Sequence, residues 1–137
     1  MVQSASSQLR RPVGGGWRSP EEARELLAAA RSSLALARTT GHGVMVEDLC
    51  ALARQAVERA VRAVLIADGV PAPTDGSIVS MLTALENAGV MVPDRLGRAA
   101  TLFPGESTGE PVRIEKYYEA VLVATEAIRF AEARVRG

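Results

Sequence analysis

A cluster of charged and amide side chains on one segment is the best candidate for chemistry in this sequence. The segment LARQAVERAVR contains Arg54, Gln55, Glu58, Arg59 and Arg62, and at the 3.6-residue period of an α-helix these five share one narrow arc. Guanidinium groups at this spacing can bind phosphate, and therefore nucleotide or RNA, or the acidic surface of a partner protein. We refer to these five residues as the polar arc.

The polar arc also has a simpler interpretation as a solvated, self-paired face of a buried helix. Arg54, Glu58 and Arg62 are four residues apart, so they can form a ladder of alternating charge. Glu58 offsets the arginines around it, which favours the solvated face over a binding surface. Gln55 is a candidate for a hydrogen bond across a helix bundle or a dimer interface.

The other reactive residue types lack partners in the sequence. His42 is the only histidine and stands between Gly41 and Gly43, so we interpret it as an exposed loop residue and not as a base or a metal ligand. Cys50 falls on the apolar side of its segment, which is typical of a small buried hydrophobe and not of a nucleophile. We therefore expect no catalytic residue, no metal site and no cofactor.

Composition narrows the class of protein. The chain has 137 residues, 47% hydrophobic and only 4% aromatic, with a formal net charge of zero and one cysteine. This length suits one domain with its own core, and one cysteine excludes an internal disulfide and fits a reducing cytoplasm. A dedicated nucleic-acid binder usually carries a basic excess. Fifteen arginines against one lysine, Lys116, suggest a GC-rich bacterial genome.

The organisation of the chain follows from its periodicity. We expect a flexible tail over residues 1–16, where Ser, Gln and Gly show no period, and a helical domain over residues 17–137. No apolar run reaches the roughly 18 residues that a membrane span needs, and no secretory signal is recognisable. We therefore expect a soluble cytoplasmic protein that does not contact a membrane.

Apolar residues at helical spacing predict four long helices and one short one. Ser19 and Ser77 are candidate N-caps, and Gly69 and Gly89 are candidate terminators. Helix two is expected from about Val44 to Ala67. The predicted buried side of the last helix, from about Val112 to Val135, consists of Ile114, Tyr117, Tyr118, Val121, Leu122, Thr125, Ile128 and Val135. The fold class is all-α, an up-and-down four-helix bundle with an additional short helix, mostly antiparallel because the loops are short.

Helix two resembles the signature helix of HEPN domains (higher eukaryotes and prokaryotes nucleotide-binding). That helix often carries a cysteine before Gln-Ala-x-Glu-Lys-x-x-Lys-Ala, an apolar run and Gly. The matching positions here are Cys50, Gln55, Ala56, Glu58, Arg59, Arg62, Ala63 and Gly69, with arginine for both lysines. GSIVSML keeps the apolar positions of a second motif, His-Asp-Leu-x-x-Leu-Leu, and LFPGE at 102–106 is similar to Arg-Tyr-Pro-Gly-Glu.

The chain also departs from the family pattern. Gly76 stands in place of the motif histidine, and Leu102-Phe103 in place of Arg-Tyr. Ribonuclease members use Arg-x(4–6)-His, usually on the last helix, but no histidine follows Arg113. The family's metal-independent RNA cleavage needs a proton acceptor and a cation near the phosphate, so the resemblance implies a degenerate member without ribonuclease activity.

The resemblance implies a binding function. We expect a non-catalytic helical interaction module, a homodimer, paired with a minimal nucleotidyltransferase in a toxin–antitoxin-type system. The alternative is a nucleotide- or RNA-binding protein that uses Arg54, Arg59 and Arg62. A ribonuclease toxin with an unconventional site that includes His42 is the third hypothesis. The five residues of the polar arc are the site candidates in the first two.

Overall fold

The structure is a computed structural model that describes residues 20–39, 45–102 and 113–135. Within these ranges the chain is helical and contains no β-strand. The helices are α1 (Pro20–Ala37), α2 (Val46–Ala67), α3 (Ile78–Asn87), α4 (Asp94–Gly97), α5 (Ala99–Leu102) and α6 (Ile114–Arg134). The all-α fold class that the sequence predicts is therefore confirmed.

Helix α2 lies at the centre of the bundle and packs most extensively on α1 and α6. Its core side is built from small residues, all of them completely buried: Ala53, Ala56, Val57, Ala60, Val61, Ala63 and Val64. Small side chains let helix backbones approach closely. The central position of α2 agrees with the sequence-based interpretation of helix two as a buried helix.

Contacts between α1 and α6 show that these two helices run antiparallel. The Tyr117 hydroxyl, near the start of α6, donates a hydrogen bond of 2.8 Å to the carbonyl oxygen of Ala37, the last residue of α1. Arg31, one and a half turns earlier in α1, forms an ion pair of 2.9 Å with Glu132 near the end of α6.

Helices α2 and α6 instead run parallel. The carboxylate of Asp68, just after α2, accepts a hydrogen bond of 2.7 Å from Arg134 at the end of α6. At the opposite end, Leu49 and Cys50 of α2 form a small buried cluster with Tyr117 of α6. Helix α2 is therefore antiparallel to α1, as an up-and-down bundle requires.

Three of the four predicted local signals mark helix ends in the structure, and the fourth, Ser19, lies outside the described residues. The Ser77 hydroxyl caps α3 by accepting a hydrogen bond of 3.1 Å from the backbone N–H of Ser80. Gly69 and Gly89 follow α2 and α3 with φ angles of 68° and 87°, a conformation that only glycine adopts without strain. The predicted short helix is interrupted at Arg98, giving α4 and α5 next to the helix-weakening Gly97.

The predicted buried side of α6 is wrong at three positions. Ile114, Tyr118 and Leu122 are 46%, 61% and 47% exposed. The face in the core consists mainly of smaller residues and one aromatic: Ala120, Val123, Ala124, Ala127, Phe130 and Ala131, together with the correctly predicted Tyr117 and Ile128. Apolar residues surround most of α6, so periodicity alone does not select a face, and close packing against the alanine-rich side of α2 favours the alanines.

The predicted division at residue 16 falls outside the described residues, so it stays a prediction. No helix in the described ranges has the length and hydropathy needed to cross a bilayer.

Candidate functional site

The structure separates the polar arc into exposed and half-buried residues. Arg54, Gln55 and Arg62 are exposed, whereas Glu58 and Arg59 are half-buried. The arc therefore does not present five equivalent side chains to a ligand.

Only one of the two expected ion pairs between residues four apart is formed. Arg54 Nε lies 3.7 Å from a carboxylate oxygen of Glu58, four residues along α2. Among the described residues, Arg62 forms no ion pair with Glu58. An exposed pair of this kind contributes about 0.5 kcal/mol, so the ladder neutralises part of the arc without adding much stability.

Arg59 connects α2 to α1. Its Nη1 donates a hydrogen bond of 2.6 Å to the hydroxyl of Ser33, and Ser33 is the one buried polar residue of the described core. A buried hydroxyl without a partner is costly, and Arg59 supplies that partner. The guanidinium of Arg59 therefore has a structural role that the sequence did not indicate.

Arg62 lies in a pocket of about 420 Å³ between α1, the end of α2 and the segment 70–76. The pocket walls combine apolar residues, among them Leu26, Leu65 and Ile66, with polar groups that include the carboxylate of Glu22. Gly76 has a φ angle of 66°, and a Cβ atom at this position would lie 3.7 Å from Nη2 of Arg62. The position where the resemblance expects a histidine thus faces an arginine of the polar arc.

Cys50 is a buried residue, as the sequence predicts. It is 7% exposed and packs against Leu49 and Tyr117. Burial raises the pKa of the Cys50 thiol, although the nearby Lys116 ammonium lowers it to a smaller extent. At neutral pH the side chain is therefore a thiol and a poor nucleophile.

We expect Cys50 to react slowly with a disulfide reagent such as DTNB at pH 8. A raised pKa means less thiolate at a given pH, and burial limits access, so the folded protein should react roughly 10-fold or more slowly than the chain in guanidinium. Equal rates for the folded and unfolded protein would contradict the buried assignment and make Cys50 a candidate nucleophile again.

A second surface, which the sequence did not indicate, lies on the open side of α6. The exposed residues Ile114, Tyr118 and Leu122 are four residues apart, so they follow one another along one face. We refer to these three residues as the α6 stripe. The signal that could have found it is the excess of apolar residues on α6 over what one buried face can hold.

A shallow groove of about 340 Å³ lies beside the α6 stripe, between α1 and α6. Leu34, Ala35 and Ile128 contribute its apolar lining. Polar side chains of both helices surround them: Arg31, Arg38, Thr125, Arg129 and Glu132. We call this feature the α1–α6 groove.

Two polar contacts cross the α1–α6 groove. Arg31 pairs with Glu132, and Arg38 Nη2 donates a hydrogen bond of 3.0 Å to the Thr125 hydroxyl. The side chain of Arg129 forms no hydrogen bond or ion pair with another described residue, so its charge is available to a partner.

The remaining candidate, His42, lies outside the described residues. Within the described ranges, no group of three or more His, Cys, Asp or Glu residues is arranged to hold a metal ion.

Comparison with known proteins identifies the family. A family model described as the HEPN domain matches residues 23–134, which include the whole of α2 and α6 and most of α1. Searches of curated proteins and of solved structures found no match. The match extends over most of the chain, and the helical fold of the family agrees with the structure. The chain therefore belongs to the HEPN domain family.

Proposed function

We propose that this HEPN domain is a non-catalytic helical interaction module that forms a homodimer through the α6 stripe. The observation that supports the proposal is the exposure of Ile114, Tyr118 and Leu122 on one face of α6. Clustered large apolar side chains on a surface are typical of interaction sites. Tyrosine in particular is enriched at protein interfaces.

The charge of the chain is compatible with self-association. Its formal net charge is zero, so two copies approach without net Coulomb repulsion. The α6 stripe is bordered by charges of both signs, with Glu115 and Arg129 both exposed. A surface of this composition suits a second copy of the same chain better than a strongly charged polymer.

The non-catalytic part of the proposal is supported by the residues around the polar arc. Arg54 is paired with Glu58, and Arg59 bonds Ser33, so two of its three cations have intramolecular partners. The chain has no histidine after Arg113, where the family's ribonuclease motif usually lies. The dimer would then offer a helical surface, including Gln55 and Arg62 of the polar arc, to a minimal nucleotidyltransferase in a toxin–antitoxin-type pair.

The test is the oligomeric state of the full chain, measured by sedimentation equilibrium. Leu122→Glu and Tyr118→Glu place a charge in the proposed interface, and each should weaken the dimer about 30-fold or more, as loss of an interface hot spot does. The matched control is Met91→Glu, because Met91 is 88% exposed and lies outside the α6 stripe.

Two outcomes would contradict this proposal. A wild-type chain that stays monomeric up to several hundred micromolar would exclude a stable homodimer. Equal dissociation constants for the wild type, Leu122→Glu and Met91→Glu would exclude the α6 stripe as the interface. Circular dichroism spectra should be the same for all variants, because every substituted residue is exposed.

The alternative function is nucleotide or RNA binding by the polar arc. The observation that favours it is the pocket beside Arg62, since the Arg62 guanidinium is absent from the ion pairs that the described residues form. This alternative predicts that labelled single-stranded RNA binds with strong salt dependence, and that Arg62→Ala weakens binding whereas Arg24→Ala, on the exposed side of α1, does not. The homodimer proposal predicts no salt-sensitive binding at either arginine.

A further inference from the structure

We infer that the second copy docks antiparallel, about a two-fold axis at Leu122, with Ile114 and Tyr118 of each copy seated in the α1–α6 groove of the other. This inference rests on the proposed homodimer and adds its register. A two-fold interface is self-complementary, so each residue on one copy meets a defined residue on the other. The exposed charged side chains of α6 determine which register gives each of them a partner of opposite charge.

Charge selects the register. Glu115 and Arg129 lie seven residues before and after Leu122, so both are about 10 Å along the helix from it. Seven residues are close to two helical turns, so both side chains point within about 20° of the direction of Leu122. An antiparallel pair centred on Leu122 therefore places Glu115 of each copy level with Arg129 of the other, twice per dimer.

A parallel pair about the same residue is unfavourable. It would bring Glu115 level with Glu115 of the second copy and Arg129 level with Arg129, and like charges at one level repel. Within the described residues the side chains of Glu115 and Arg129 form no ion pair or hydrogen bond, so both charges are available for contacts between copies.

The α1–α6 groove has the position that the antiparallel register requires. In that register, Ile114 and Tyr118 of the second copy come level with residues 130 and 126, along the stretch of α6 that lines the groove. A two-fold axis that lies in the interface, perpendicular to both α6 helices, places the α1 side of one copy next to the α1 side of the other. Ile114 and Tyr118 lie on the α1 side of Leu122 by helical phase, and the groove lies on that same side.

The chemistry of the two surfaces also matches. Ala35 is the exposed apolar residue of the groove, and the edges of the buried Leu34 and Ile128 lie beside it. This strip offers apolar contact to an isoleucine or a tyrosine ring between the polar side chains of both helices. The guanidinium of Arg38 at the rim suits the face of an aromatic ring. In this register the α6 stripe and the α1–α6 groove form one self-complementary surface, and seating requires the side chains of Arg31 and Arg38, which reach across the groove to Glu132 and Thr125, to turn toward its edges.

The test uses charge reversal and mixing of the full chain. Glu115→Arg alone and Arg129→Glu alone each create two like-charge contacts per dimer, and each should weaken self-association by roughly 10-fold or more. Mixing these two variants should produce a heterodimer in excess over both homodimers by native mass spectrometry, because all four charges are then complementary. The double variant Glu115→Arg/Arg129→Glu should dimerise like the wild type.

A second pair of variants tests the groove. Ala35→Trp fills the groove from an exposed position of α1 and should weaken the dimer. Ala28→Trp adds the same ring at an exposed position two turns away and should not. Dimers that form equally well with Ala35→Trp and Ala28→Trp would overturn seating in the groove.

The outcomes separate the register from the proposed function. If both charge-reversed single variants dimerise like the wild type while Leu122→Glu does not, the register is wrong and the homodimer stands. If the wild type itself is monomeric, the proposed function fails and the register fails with it. Preferred heterodimers that dissociate on adding 1 M NaCl would support the charge pairing.

Discussion

Replacing Ala60 by leucine is expected to lower the free energy of unfolding by about 3 kcal/mol. Ala60 is completely buried on the core side of α2, where the helix packs against α1 and α6. Leucine adds three carbon atoms where alanines permit close approach of the backbones, so the helices must separate or the side chain must leave its preferred rotamer. Urea denaturation of the purified protein measures the change.

The matched control for Ala60→Leu is Ala51→Leu. Ala51 lies on the exposed side of the same helix, and alanine and leucine have nearly equal helix propensity. We expect Ala51→Leu to change the free energy of unfolding by less than about 0.5 kcal/mol. Equal effects at the two positions would mean that α2 does not pack through its alanines as the structure describes.

Replacing Tyr117 by alanine is expected to destabilise the protein by about 4 kcal/mol. The ring is buried against Leu49 and Cys50, and the hydroxyl donates to the carbonyl oxygen of Ala37. That carbonyl belongs to the last turn of α1, where no backbone N–H of the helix can reach it. The Tyr117→Phe variant keeps the ring and should cost about 1.5 kcal/mol from the hydroxyl alone.

The neighbouring Tyr118 provides the control for Tyr117. It is 61% exposed, and its ring centroid lies 5.3 Å from that of Tyr117. Denaturation in the Leu122→Glu background removes any contribution from association. There we expect Tyr118→Phe to change stability by less than about 0.5 kcal/mol. A larger loss for Tyr118→Phe than for Tyr117→Phe would mean that the two tyrosines have exchanged roles.

The polar arc illustrates how far sequence reasoning could go at the candidate site. Helical spacing placed Arg54, Glu58 and Arg62 on one side of α2 and predicted the Arg54–Glu58 pair, which is four residues apart and depends on one helix only. It did not indicate that Arg59 would bond Ser33, because those residues are 26 positions apart and meet only through the packing of α1 on α2.

The α6 stripe illustrates the opposite case. Its residues were predicted to be buried because large apolar side chains usually are. The buried face instead depends on what the neighbouring helix offers, and α2 offers alanines and valines. The α1–α6 groove depends even more on tertiary structure, since it joins residues of α1 to residues of α6 that are more than 80 positions later in the chain.

The sequence by itself determined the helices, their ends and the family resemblance. Periodicity, the Ser77 cap and the terminal glycines act over a few residues, so they can be recognised without knowing the fold. Only the tertiary structure decided which face of α6 is buried, which arginine of the polar arc has a structural role, and where the α1–α6 groove lies. The physical reason is that burial and long-range hydrogen bonds depend on the shape of a partner helix, and periodicity within one helix contains no information about that shape.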